Sequence, residues 1–121
     1  MRVAVCAVGL IGPGLDGWRE SLDILRGQRP HVAAEPRIAA PDGLPAAERR
    51  RIGQSVKIAL AVASQAFASS TIDPLQAQTV FSSSGGDGLN CHLLCEALAE
   101  PCPQVSPTRF ANSVHNAPAG Y

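Results

Sequence analysis

The chain has 121 residues (12.6 kDa), of which 45% are hydrophobic and 17% charged. That composition suits one compact domain with a core and excludes a disordered or collagen-like chain. Ten basic residues balance ten acidic ones and the sequence pI is near 6.8, so no electrostatic footprint for nucleic acid or an anionic membrane is present. No apolar run approaches the roughly 20 residues of a membrane span, and the N-terminal stretch is too short and too interrupted by glycine for a secretion signal. A soluble, cytoplasmic protein is expected. The cysteines Cys6, Cys91, Cys95 and Cys102 are too sparse for a disulfide scaffold and are expected to be free, buried thiols.

In chain order, residues 2–8 (RVAVCAV) form a nearly continuous apolar run with alternating Val, the pattern of a short strand buried on both faces. Gly9, Gly12, Pro13 and Gly14 then break it into a loop. Asp16 is the expected N-cap of a helix over residues 16–26, in which Trp18, Leu22 and Leu25 make one apolar stripe and Gly27 is the terminator. Residues 28–47 carry Pro30, Pro36, Pro41 and Pro45 without an apolar period and read as an extended connection. After the triplet Arg49, Arg50 and Arg51, taken as a solvated helix entrance, the spacing of Ile52, Val56, Leu60, Ala63 and Phe67 predicts a helix of about 15 residues or more. Its many alanines predict that it is covered on more than one side. Residues 78–83 (QTVFSS) read as a second strand, residues 84–88 as a permissive loop and residues 89–99 as a helix. Two strands alone leave open edges and bury little, so further strands must come from more polypeptide or from a partner chain.

Few residues carry chemistry. Gly9, Gly12 and Gly14 have G-x-x-G-x-G spacing rather than the dinucleotide pattern, and Pro13 removes an amide that a phosphate would need. The loop from Ser82 to Gly88 lies between a strand and a helix and offers an anion nest, but without a Gly-Lys-Ser/Thr run. It supports a small phosphate- or nucleotide-binding α/β domain as a reading of another class. Cys91, His92, Cys95 and Cys102 suggest a small zinc module, yet His92 points about 100° away from the face shared by Cys91 and Cys95. His31 reads as a solvated surface residue. His115 is framed by polar and small residues, and a packing role outweighs a catalytic one.

Several segments together resemble the N-terminal half of the β-ketoacyl synthases, the condensing enzymes of fatty-acid and polyketide synthesis. VAVCAVGLIGPGLDGWRESLDILRGQ is similar to that family's opening strand, Gly-rich turn and first helix. RIGQSVKIALAVASQAF resembles its Ala-rich helix, and QTVFSSSGGDG its second strand and glycine loop. VSPTRFANSVHNAPAG resembles, without gaps, a stretch in which Ser106, Pro107, Asn116, Ala119 and Gly120 match. SVHNAPAGY is similar to the shorter ketosynthase-like and chain-length-factor-like proteins of aryl polyene pathways.

The resemblance implies a thiolase-like layered α/β/α/β/α fold, with residues 1–121 as a single N-terminal domain, truncated at its C-terminal end and holding an incomplete sheet. It implies decarboxylative condensation, in which a Cys thiolate takes an acyl group and a malonyl thioester loses carbon dioxide to attack it. The family's nucleophilic Cys and catalytic His pair have no counterpart among these residues, so no catalytic residue, metal or cofactor is assigned and the chain alone is expected to be inactive. Val105 matches a position resembling the family's acyl-pocket gate, with Phe110 close by, and a short branched or aromatic side chain there sets tunnel depth by excluded volume. Asn116 and Gly120 are expected to orient the helix beneath the active-site layer. The implied partners are an acyl carrier protein and a second subunit, in a homodimer or in a heterodimer with a ketosynthase. The alternative within the family is a non-catalytic subunit that shapes product length.

Overall fold

The computed structural model describes residues 1–114 and 117–121. The chain divides into two compact units, Met1–Ala40 with Leu60–Ala77 and Pro41–Ala59 with Gln78–Tyr121.

In the first unit the sheet is a two-stranded antiparallel hairpin, β1 (Ile11–Gly12) and β2 (Leu15–Asp16), with Ile11 opposite Asp16 and Gly12 opposite Leu15. Pro13 fixes φ at the first turn position and Gly14 takes φ of 71° at the second, the residue order of a type II turn. The proline-rich connection folds back over this turn. Gly14 N–H donates to the Ala34 carbonyl at 2.8 Å, and His31 Nε2 lies 2.7 Å from the Pro13 carbonyl oxygen. His31 is thus exposed, as expected, yet engaged.

Helix α1 (Trp18–Leu25) begins after Gly17, whose N–H reaches the Leu10 carbonyl at 2.9 Å. Asp16 is therefore the last residue of β2 and not the N-cap. At the other end Gly27 N–H donates to the Ile24 carbonyl and Gln28 N–H to that of Asp23, with Gly27 at φ of 72°. This pair of bonds is the Schellman arrangement, and Gly27 ends the helix as the sequence predicts. The stripe of α1 is less covered than its pattern implies. Trp18 is 39% and Leu25 50% exposed, while Ser21 is buried.

The two longer strands expected from sequence do not form. Residues 2–8 and 78–83 have no ladder partner among the described residues, and Val3, Val5 and Val80 are more than four-fifths exposed. A strand cannot satisfy its own amides, so a run designed for the middle of a sheet stays unpaired without neighbours on both sides.

The second unit is helical. Helix α2 (Ala46–Arg51) places Arg49, Arg50 and Arg51 in its last turn, where cations complement the helix dipole. The triplet therefore closes one helix and does not open the next. Ile52 takes ψ of 137°, which breaks the chain direction before α3 (Gln54–Ala68), a helix of the expected 15 residues that begins in this unit and, from Leu60 on, belongs to the first. Only Gln54, Ser64 and Ala68 of α3 are exposed, in line with its alanine content. Ile52 and Val56, 4% and 0% exposed, are the buried apolar residues of this unit. Helix α4 (Gly88–Ala99) packs against α5 (Pro107–Asn112), and a 3₁₀ turn (Ala117–Gly120) follows.

Among the described residues no helix is long and apolar enough to cross a membrane.

Candidate functional site around helix α5

Helix α5 is built from a short local code. Ser106 is the N-cap, its hydroxyl accepting from Arg109 N–H at 3.4 Å, and Pro107 occupies the first helical position, where its missing amide costs nothing. Val105 stands immediately before this cap and is half-buried, whereas Phe110, in the body of the helix, is 64% exposed. Val105, matched to the acyl-pocket gate, and the nearby Phe110 thus share one short segment.

Polar side chains hold that segment in place. The Asn112 amide donates through Nδ2 to the carbonyls of Arg51 at 2.7 Å and Thr108 at 2.8 Å, and its Oδ1 accepts from Gly53 N–H at 2.9 Å. Its two donors and its acceptor are all used, on the stretch joining α2 to α3 and on α5 itself. Gly53 eases this approach, because a Cβ there would lie 3.3 Å from Asn112 Cγ and the amide would have to give by a few tenths of an ångström.

From the other side, Asn90 of α4, 8% exposed, donates to the Arg109 carbonyl at 2.9 Å. Asp87 caps α4 by accepting from Asn90 N–H at 3.1 Å and lies 3.4 Å from Ser55 Oγ. No buried side-chain polar atom lacks a partner among the described residues, so the network is closed. A concavity of about 470 Å³ opens beside it, with Arg51, Thr108, Ala111, Asn112 and Tyr121 in its wall.

Of the other sequence-matched positions, Gly120 does not join this cluster. Gly120 is exposed in the 3₁₀ turn. Asn116 and His115 lie outside the described residues. The network residues Asn112, Asn90 and Asp87 were missed by the reading for chemistry. A cap signal was legible in Asp87-Gly88 and in Ser106-Pro107, whereas the Arg51 and Gly53 partners of Asn112 lie 59 to 61 positions away and leave no local trace.

The cysteines require a correction, for all four are exposed. Cys91 and Cys95 lie on α4 where Leu93, Leu94 and Ala97 supply the more covered face, so the thiols take the solvent side. His92 is 3.4 Å from Glu96 on the same exposed flank. Among the described residues no three of His, Cys, Asp and Glu converge on a metal-sized site.

The loop from Ser82 to Gly88 is also spoken for. Gly86 N–H donates to Ser83 Oγ at 2.8 Å, and the Asp87 carboxylate occupies the N-terminus of α4. A phosphate would have to displace a negative charge already in its place.

The first unit has a separate, wider concavity of about 910 Å³, with Val5, Cys6, Trp18, Leu22 and Gln65 in its wall. Gln65 Oε1 there accepts from Leu10 N–H at 2.9 Å.

Compared with known proteins, residues 24–121 match the family model described as beta-ketoacyl synthase, N-terminal domain. Comparison with curated proteins and with solved structures gives no match.

Proposed function

Because the chain belongs to the β-ketoacyl synthase family, with the thiolase-like α/β fold class and an incomplete sheet, we propose that it supplies scaffold and acyl-pocket wall to a β-ketoacyl-[acyl carrier protein] synthase of fatty-acid or polyketide-type biosynthesis. The observation that carries this reading is the family match across 24–121, which includes the whole of α5 and its network. Val105 and Phe110 form the wall, and the closed network around α5 fixes where that wall stands.

The reacting sulfur comes from elsewhere. A condensing thiolate needs a positive microenvironment such as an uncapped helix N-terminus or a neighbouring cation. Cys91 and Cys95 lie on the exposed flank of α4 behind the Asp87 carboxylate, Cys6 belongs to the unpaired N-terminal run, and Cys102 lies in the link between Pro101 and Pro103. The reading takes acyl carrier protein as partner, a second ketosynthase-type subunit, identical or not, and the cytoplasm as compartment. A subunit that sets product length without condensing, as in aryl polyene pathways, is the form of this role in which the wall matters most.

The test is Val105→Phe in the intact condensing assembly that contains this chain. Products on acyl carrier protein, measured by mass spectrometry, are expected to shift to shorter acyl chains, because added volume shortens the tunnel. An unchanged product-length profile overturns the assignment of the wall. Condensation of malonyl thioesters by residues 1–121 alone would overturn the assignment of the sulfur.

A further inference from the structure

We propose that Asn112 is a positioning residue for product length, acting through Val105. The inference rests on the reading of Val105 as pocket wall and adds what holds that wall at a fixed depth.

The amide chemistry selects Asn over its isostere. Two carbonyls, of Arg51 and Thr108, accept from the amide nitrogen, and one N–H, of Gly53, donates to the amide oxygen. An Asn amide offers that combination in a single orientation, whereas a carboxylate would keep the Gly53 bond and set its second oxygen against two carbonyl oxygens.

Two of the three partners lie outside α5, at the α2–α3 junction beside the buried Ile52. The side chain therefore ties a six-residue helix to a rigid point. A helix of that length has too few internal bonds to hold its own place. A second polar tie to α5, from Asn90, meets the Arg109 carbonyl and so holds one position without fixing rotation about it. With both ties made, the cap at Ser106 and the adjacent Val105 have one location. With the Asn112 tie cut, α5 can swing about the Asn90 bond, and Val105 marks a range of depths.

The test compares three changes in the intact condensing assembly, with the acyl-chain distribution on acyl carrier protein and the melting temperature read together. Asn112→Asp is expected to broaden the distribution of lengths at least twofold. Gly53→Ala, which leaves the amide in place and crowds it from the opposite side, is expected to broaden it in the same sense and keeps the question answerable should Asn112→Asp not fold. Val56→Ala lowers stability from within the core of the same unit and is expected to leave the distribution unchanged. Broadening by either clasp variant but not by Val56→Ala supports the proposal. A clasp variant that folds, melts lower and keeps the parental distribution, while Val105→Phe still shortens products, overturns the role of Asn112 and leaves the wall reading intact. If Val105→Phe changes nothing, the wall reading fails and the proposal falls with it.

Discussion

Residues 2–8 and helix α5 dispose of their backbone polar groups in different ways. In α5 the amide of Phe110 finds the Ser106 carbonyl, the amide of Arg109 finds the Ser106 hydroxyl, and the Thr108 and Arg109 carbonyls take additional bonds from Asn112 and Asn90. Along residues 2–8 no ladder bond forms among the described residues, and Val3 and Val5 are 81% and 83% exposed. A helix closes its hydrogen bonds within itself and needs neighbours only for its ends and one face. A strand needs a neighbour for every bond. Apolar content therefore does not decide which segment is ordered by this chain alone; the source of the bonding partners does.

Amide exchange probes that difference most directly. In this chain the amides of residues 3–8 are expected to exchange near the unprotected rate, and those of residues 58–66 within α3 more slowly by a factor on the order of a thousand, since exchange there requires opening of packed structure. Comparable protection of both segments would break the comparison, because it would mean that residues 2–8 have found a bonding partner, for instance in another copy of the chain.

A smaller effect is expected where the first unit does have specific backbone contacts. Gly14 has φ of 71°, and a Cβ there would run into the Val32 carbonyl oxygen, so neither the conformation nor the space admits a side chain. Gly14→Ala should destabilise by about 3 kcal/mol, summing roughly 1 kcal/mol for the left-handed backbone and about 2 for overpacking. Chemical denaturation of the intact protein reads this. A loss under about 0.5 kcal/mol would show that the connection over residues 31–34 moves aside freely and that the hairpin turn is not clamped.

The same distinction explains what was legible in the sequence. The spacing of Val56, Leu60, Ala63 and Phe67, the terminator Gly27 and the helix over residues 89–99 were readable because helices are specified by residues three, four and seven apart, whereas Ile52, counted in the same stripe, is extended and precedes α3. The strand at residues 2–8 was readable as a pattern, but a pattern states which partners a segment needs and not whether the chain contains them. Ile11–Gly12 and Leu15–Asp16 form the hairpin instead, since a two-residue turn closes locally. Around α5 the cap was written in Ser106-Pro107, while the clasp was not, because Arg51, Gly53 and Asn112 become neighbours only after α2, α3 and α5 have folded together. Burial of the cysteines was inferred from residue type; the faces of α4 reversed it for Cys91 and Cys95, and Cys6 and Cys102 lie in exposed segments outside any helix.

The N-terminus of α4 offers the finest test of how far local bonding alone sustains order. The Asp87 side chain accepts from Asn90 N–H at 3.1 Å, and its other oxygen is 3.4 Å from Ser55 Oγ, a length at which little energy is gained. If the cap carries the effect, Asp87→Ala should cost about 1 kcal/mol and Asp87→Asn only a few tenths, because Asn keeps the acceptor and ranks with Asp as an N-cap. Ser55→Ala should then be nearly silent. Equilibrium denaturation of the three variants separates the two contributions. A loss for Ser55→Ala as large as that for Asp87→Ala would locate the stabilisation in the contact between α3 and α4, and would make the order of α4 depend on a tertiary partner just as that of residues 2–8 does.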